Sequence, residues 1–439
     1  MTVNVIGAGL AGCEAAWQIA SRGVKVNLFE MKPSKFSPAH KSENFAELVC
    51  SNSLKAERIS SAAGLLKEEM RLLGSLLMQC ADVCKVPAGG ALAVDREKFS
   101  ALVTEKIRAN PLINVVEGEV STLPADELTV VATGPLTSDS LANEISNLCG
   151  GSLSFFDAAA PIITAESLDM EHVFLASRYD KGDDNAYVNC PLSKEEYEAF
   201  YRELVSAERA PVHDVDVQNP KVYEGCMPVE VMAQRGEDTL RFGPMKPVGL
   251  RDPKTGRRPW AVLQLRMENA DGTLYNMVGF QTNLKFSEQK RVFGMIPALK
   301  NADFMRYGVM HRNTFINSPQ VLDADFSLRS NPKLFFAGQI TGVEGYMESA
   351  ASGIIAGINA VRRLRGKTTL VLPRETMIGA LSYYISEGGQ NEFQPMGANF
   401  GILPALEEHI RDKKARYEAL ANRSIKILRE SCDTHENNR

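Results

Sequence analysis

Long apolar runs, paired cysteine motifs, internal repeats and an excess of positive charge are all missing from this 439-residue sequence. No apolar stretch approaches the roughly 18 residues that a membrane-spanning helix needs, which excludes a helical membrane protein. The chain carries 49 Lys and Arg against 54 Asp and Glu, so it is not coated all over by nucleic acid. A local basic patch stays open, because binding answers to the local field rather than to the sum. The eight cysteines, Cys13, Cys50, Cys80, Cys84, Cys149, Cys190, Cys226 and Cys432, are scattered, as in a reducing compartment. Cys80 and Cys84 have helical i, i+4 spacing and no partnering His or Cys pair nearby, so no metal site is expected. A strand starting within the first few residues leaves no room for a secretory leader, and a cytoplasmic protein is expected.

What is present is an ordinary globular mixture, long enough for two to three domain-sized units. Thr2 to Ile6 reads as a strand, Cys13 to Ser21 as a helix and Val24 to Phe29 as a second strand, which completes a βαβ unit. Helices are expected over Ala62 to Cys80 and Asp95 to Ala109, and strands over Val115 to Val120 and Thr129 to Ala132. From about Ser152 to Val321 strands and turns dominate, with short helices such as Lys194 to Val205. A buried strand over Leu334 to Ala337 precedes a long helix over Met347 to Leu364. Helices over Arg374 to Ser386 and Glu407 to Arg429 follow, and Asp433 to Arg439 is expected to be disordered.

Gly7, Ala8, Gly9, Leu10, Ala11 and Gly12 form G-x-G-x-x-G at the first strand–helix junction. Glycines there permit the tight turn, the approach of a pyrophosphate and the helix–strand contact, while the helix N-terminus presents N–H groups to phosphate. The hexapeptide alone is weak. Its position after a strand and before a helix, with Glu30 closing the next strand to accept from ribose hydroxyls, makes dinucleotide binding the expectation.

Two further segments favour FAD over NAD. Val130 to Gly134 is a strand ending in Ala-Thr-Gly, a turn that flavoproteins of the glutathione-reductase class place against the dinucleotide. Phe335 to Gln339, with Gly338, Gly342 and Gly345 before a helix, resembles the second flavin motif of that class. That helix N-terminus would stabilise negative charge on a reduced flavin. No second G-x-G-x-x-G occurs, so a nicotinamide donor would dock transiently. The expected fold is α/β, a glutathione-reductase-type FAD-binding Rossmann domain with an inserted α+β domain. Its parts are residues 1–154, the insertion 155–322, and 323–439 with the C-terminal helices.

The chain also resembles a family throughout. The stretches that carry the resemblance are Val3 to Gly12, Val49 to Leu54, Ala63 to Met70, Pro87 to Arg96, Tyr223 to Pro228, Asp238 to Leu250, Gly338 to Ala351 and Phe393 to Pro404. Together they are similar to the folate- and FAD-dependent tRNA (uracil-5-)-methyltransferases, which are related to the GidA-type tRNA-uridine modifiers. The resemblance implies FAD, NADPH or NADH, and 5,10-methylenetetrahydrofolate as cofactors and cosubstrates. It implies the T-arm of tRNA as partner and methylation of a T-loop uridine at C5.

Under that resemblance the residues take roles. Uracil C5 is a poor nucleophile until a thiolate adds to C6, and thiolate both adds and leaves readily. Cys226 is the expected attacking group. Cys50 would lie near the flavin as general base or shield the one-carbon unit, and the two roles are exchangeable at this level. His311 is a candidate to stack on the folate pterin, and Tyr346 to contact the flavin. Arg241, Lys246, Arg251, Lys254, Arg257 and Arg258 are candidates for RNA phosphates, as are Lys285, Lys290 and Arg291 and the helical group Arg411 to Arg416. A ribosomal RNA target, a flavin oxidoreductase acting on a small molecule, and a non-catalytic RNA-binding role stay open as alternatives.

Overall fold

Strand β1 (Thr2–Ile6) buries four of its five residues, the pattern of a parallel strand covered on both faces. Helix α1 (Leu10–Ser21) follows, then β2 (Lys25–Glu30), which pairs parallel with β1. The computed structural model describes residues 2–124, 126–180, 187–210, 227–388 and 393–436. In it, β1 lies inside a six-stranded sheet. The strand order is Ser327–Leu328, Asn331–Phe336, Thr129–Val131, β1, β2, Ile113–Glu117. All neighbours are parallel except the Ser327–Leu328 edge.

The C-terminal segment joins this sheet because helix Tyr346–Leu364 packs on α1. The contact is closer than most side chains permit. A Cβ on Gly353 would overlap the Ala11 carbonyl, and one on Gly357 would stand 2.7 Å from the Ala15 oxygen. The Ala- and Gly-rich composition of both helices is therefore a packing requirement.

A second, wholly antiparallel sheet has the order Phe174–Leu175, Tyr187–Leu192, Ala261–Met267, Leu274–Met277, Ile162–Thr164, Phe304–Arg306. It has its own core, in which Phe200, Leu263, Phe280 and Phe293 are fully buried. The chain leaves and re-enters the first domain through an antiparallel ribbon of Ser152–Ala158 with Met310–Ile316. Phe315, Ile316 and Leu322 pack in the first core. A mostly parallel, Rossmann-type sheet thus carries a separate antiparallel sheet, with α/β content throughout.

Several elements differ from their sequence-based expectation. The helix expected over Ala62 to Cys80 is two, Ala62–Leu72 and Leu76–Val83. Gly74 between them has φ +75°, a conformation glycine adopts without cost, and the buried Glu14 carboxylate accepts from Leu76 and Leu77 N–H at 3.1 and 2.9 Å. The strand expected over Val115 to Val120 is Ile113–Glu117, ended by Gly118 at φ +140°. The helix expected from Arg374 starts at Met377, where Thr376 caps it and Glu69 accepts from Met377 and Ile378 N–H. The last helix runs Lys413–Glu436, so Asp433 to Glu436 is helical rather than disordered, carried by the buried Ala421, Ser424 and Leu428 one turn apart.

Candidate active site

The three motif glycines have separate physical reasons. Gly7 has φ +98° and a Cβ there would stand 2.7 Å from the Ala132 oxygen. A Cβ on Gly12 would overlap the Gly7 carbonyl. Gly9, by contrast, has an ordinary φ of −74° and nothing within 4 Å of where a Cβ would be. Two glycines are thus demanded by packing, and the third keeps space open in front of the first helical turn, whose N–H groups have no intrahelical partner. A pyrophosphate fits that space and those donors. Glu30 is buried, and its two carboxylate oxygens accept from the N–H groups of Ala8 at 2.8 Å and Lys32 at 3.0 Å. That fixes its carboxylate on the wall of the cleft.

The cleft is lined by Gly7, Gly9, Leu10, Ala11, Glu30, Gly134, Gly338, Gln339 and Tyr346, among others. Gly134 has φ +72° with open space at its Cβ position. Gly342 lies elsewhere: it lines neither this cleft nor its neighbour, and a Cβ on it would overlap the Phe393 ring. Gly345, at φ +125°, gives room to the ion pair between Lys55 and the buried Glu348, 2.7 Å apart. The residues present fit FAD in their donors, their open glycine and their cleft.

A second cavity shares Val49, Pro135, Leu136, Gln339 and Tyr346 with the first. Cys50 lines it, the one cysteine among those described to line either cavity. The others are packing residues. Burial raises the thiols of Cys13, Cys84 and Cys190, and lifts Cys80 to about 12 and Cys149 to about 11. Cys50 is half-buried, with Sγ 2.8 Å from the Tyr346 hydroxyl oxygen. The same oxygen accepts from the N–H groups of Cys50 at 2.7 Å and Ser51 at 3.2 Å. With two donors already aimed at it, the phenol has its own proton to give to sulfur. Burial, followed by the neighbouring Cys50, raises the phenol well above its ordinary range.

Behind Cys50 the loop is held by the inserted sheet. Arg266 donates to Asn52 Oδ1 at 3.0 Å and Ser51 Oγ at 2.8 Å. Asn52, fully buried, donates to the carbonyls of Val94 at 3.0 Å and Met267 at 2.9 Å. Arg96 donates to the Val49 carbonyl at 3.3 Å and lies 2.5 Å from Glu268. Burial opposes the charge on Arg96, but Glu268, Tyr346 and Cys50 together outweigh it and raise the guanidinium; on Glu268 burial prevails and raises the carboxyl. Asp95 accepts from Ala270 N–H at 3.0 Å, and the Tyr187 hydroxyl donates to the Ala88 carbonyl at 3.1 Å. The Pro87 to Arg96 stretch is therefore the strip on which the inserted sheet docks. Sequence reading named that stretch without a role and missed Asn52, Arg96, Arg266 and Glu268. The pairing of a buried Arg with a distant Asn leaves no local periodic signal that could have found them.

Other candidates separate. Cys226 lies outside the described residues. His311 pairs with Asp157 in the connecting ribbon, two residues from Asn313, which lines the Cys50 cavity. Of the RNA candidates, Arg241, Lys246, Arg251, Lys254, Arg257 and Arg258 line neither cavity. Lys254, Arg257 and Arg258 border a separate groove with Trp260. Arg241 stacks over that ring, 3.7 Å from its centroid, and pairs with Asp238. Among the described residues no group of three or more His, Cys, Asp or Glu could hold a metal ion.

A Rossmann-type sheet, a glycine-shaped dinucleotide cleft and an inserted antiparallel sheet define a FAD-binding flavoprotein of the GidA type. A family profile described as glucose inhibited division protein A matches residues 2–368. GidA of Aquifex aeolicus has a similar fold, with a TM-score of 0.71 at 18% identity over 98% of this chain and 73% of that one. Methylenetetrahydrofolate–tRNA-(uracil-5-)-methyltransferase TrmFO of Acetivibrio thermocellus is 62% identical over 429 residues, 98% of each chain. The protein of the same name from Pelotomaculum thermopropionicum is 61% identical over 97% of each chain. The chain belongs to this TrmFO family, within the glucose inhibited division protein A group.

Proposed function

We propose that the protein is a methylenetetrahydrofolate–tRNA-(uracil-5-)-methyltransferase that methylates C5 of a T-loop uridine, with FAD bound in the Gly7–Gly12 cleft and NADPH or NADH as electron source. The observation that carries the reading is the Cys50–Tyr346 pair, lining a cavity that shares a wall with the dinucleotide cleft. A thiol placed beside the dinucleotide cleft suits transfer of a one-carbon unit to a base.

FAD, when bound, supplies the electrons that bring the one-carbon unit to the methyl level. The chain's residues do the rest. Cys226 adds to uracil C6, which makes C5 nucleophilic, and leaves once C5 is alkylated. Cys50 takes the C5 proton. Tyr346 holds its sulfur by a hydrogen bond, and Arg96 lies within electrostatic reach of it. Ala159 and Gln281 of the inserted part form one wall of the cavity, which limits access of water to the reacting groups. Reaching C5 of a uridine in a folded loop calls for extrusion of the base. His311 stacks on the pterin, and Arg241, Lys246, Arg251, Lys254, Arg257 and Arg258 meet phosphates farther along the RNA. No helix among the described residues is long and apolar enough to cross a membrane, which accords with action in the cytoplasm, where tRNA is.

The test is an assay with labelled methylenetetrahydrofolate, NADPH and unmodified transcripts of tRNA and of ribosomal RNA. Label recovered as 5-methyluridine in the tRNA T-loop is the expected result. Label in ribosomal RNA alone would move the target. No label in either, with FAD bound and NADPH oxidised, would leave a small-molecule oxidoreductase.

A further inference from the structure

Where the inserted sheet ends, at its edge strand Phe304–Arg306, three aromatic rings form a stack. Phe286 and Tyr307 have centroids 4.6 Å apart and planes 16° apart; Tyr307 and Phe304 are 5.2 Å and 4°. Phe304 packs against the second core, whereas Phe286, at the outer end, is 53% exposed and Met305 is 64% exposed. The stack is held from below. The fully buried Gln289 accepts from Gly308 N–H at 2.8 Å and donates to the Gly308 carbonyl at 2.8 Å and to Leu284 at 2.7 Å. Those bonds lock the turn after Tyr307 to the helix Phe286–Phe293. Gly308 itself is wedged against Thr282 and the Ala159 carbonyl. Ala159 and Gln281 line the Cys50 cavity, so the turn that follows Tyr307 packs against that cavity's wall.

The charges around it are sorted. Lys285 pairs with Glu208, and Arg291 with Glu203 and Glu288, so these cations are largely neutralised. Lys290 is exposed, one turn from Phe286 on the same face of the helix. Arg306 is half-buried and, among the described residues, its side chain makes no ion pair or hydrogen bond. It lies within electrostatic reach of Cys50 and Tyr346. A rigid ring with one open face, with Lys290 one turn along its helix and Arg306 adjoining Tyr307 on the side of Cys50, matches an unpaired nucleobase with its phosphates. Base–aromatic stacking is tolerant of base identity and strengthens binding markedly per base.

We propose that Phe286, backed by Tyr307 and Phe304, is the platform on which a nucleotide flanking the target uridine stacks, with Lys290 and Arg306 meeting its phosphates. The proposal rests on the RNA reading above. An RNA loop that must give up one base to the Cys50 cavity exposes its neighbour, and the turn behind this stack packs against that cavity's wall.

The experiment uses the full-length, FAD-loaded protein and a T-arm hairpin carrying 2-aminopurine beside the target uridine. Phe286→Ala is expected to raise KM for the hairpin about ten-fold, leave kcat and FAD content near wild type, and abolish the fluorescence quenching that wild type produces. Phe286→Trp should restore both quenching and KM. Wild-type binding with Phe286→Ala unchanged in KM and quenching overturns this proposal alone. A raised KM for NADPH with unaltered RNA binding assigns the ring to the coenzyme and overturns it too. Wild type that binds no transcript at low salt removes the RNA reading, and this one with it.

Discussion

The dinucleotide cleft and the Cys50 cavity share a wall but are built in opposite ways. The cleft's defining parts, Gly7 to Gly12 and Glu30, lie in one βαβ unit, and its shape comes from side chains that are absent. The cavity is assembled across the chain. Its hydrogen bonds join Cys50 to Tyr346, Ser51 to Arg266 and Asn52 to Met267, at sequence separations of 296, 215 and 215. The first is a property of the backbone and should survive changes elsewhere. The second depends on the inserted sheet staying docked, and couples cavity geometry to domain position.

The largest expected effects test the cleft, and Gly9 and Gly12 divide them cleanly. Gly12→Ala puts a Cβ into the Gly7 carbonyl, so the fold itself is strained, by about 2 kcal/mol or more. Gly9→Ala meets nothing within 4 Å and keeps an ordinary φ. Its fold should stay within about 1 kcal/mol of wild type, while FAD affinity falls about 100-fold because the phosphates lose their close approach. Urea unfolding of the apoprotein and flavin titration separate the two. Equal FAD binding by Gly9→Ala and wild type would mean that the cofactor does not use this turn.

The cavity should respond differently. Arg266→Met keeps an unbranched apolar stem but leaves Ser51 Oγ and Asn52 Oδ1 without their donor, a loss of about 1–3 kcal/mol. FAD content should be unchanged and kcat should fall about ten-fold or more, since small misplacements of a reacting group are costly. The rate of Cys50 alkylation should change in parallel, which a general loss of stability would not produce at temperatures well below unfolding. Unchanged kcat with altered stability would reduce Arg266 to a structural role.

This contrast also explains what was legible beforehand. The Rossmann unit and the strand–turn–helix at Gly338 announce themselves locally, because tight turns restrict residue choice to glycine wherever the chain must bend or approach a ligand. Cys50 drew attention through its polar loop and through family resemblance, not through any signal of its partners. Tyr346 was read as a flavin contact; its hydrogen bond to Cys50 joins residues nearly 300 positions apart, a pairing that no local pattern encodes. Gly342 shows the converse. It belongs to a motif-like run, yet its missing side chain makes room for Phe393, so a glycine in a ligand-binding stretch is not thereby a ligand contact.

The smallest expected effect distinguishes the buried carboxylates that hold helices from the site's own groups. Glu69 and Glu14 are fully buried, and each caps a helix N-terminus. Burial raises both to about 7, against the pull of their hydrogen bonds. In the unfolded chain a glutamate titrates near 4.3. Between those values the folded protein holds a proton that the unfolded chain has released, so stability falls as pH rises through that window and is level above it. Wild type should therefore lose urea-midpoint stability between pH 5 and 8. Glu69→Gln, which cannot titrate, should be less stable at pH 5 but show a shallower decline. Parallel slopes for the two proteins would mean that Glu69 is ionised when folded, with the helix N-terminus and its N–H donors outweighing burial.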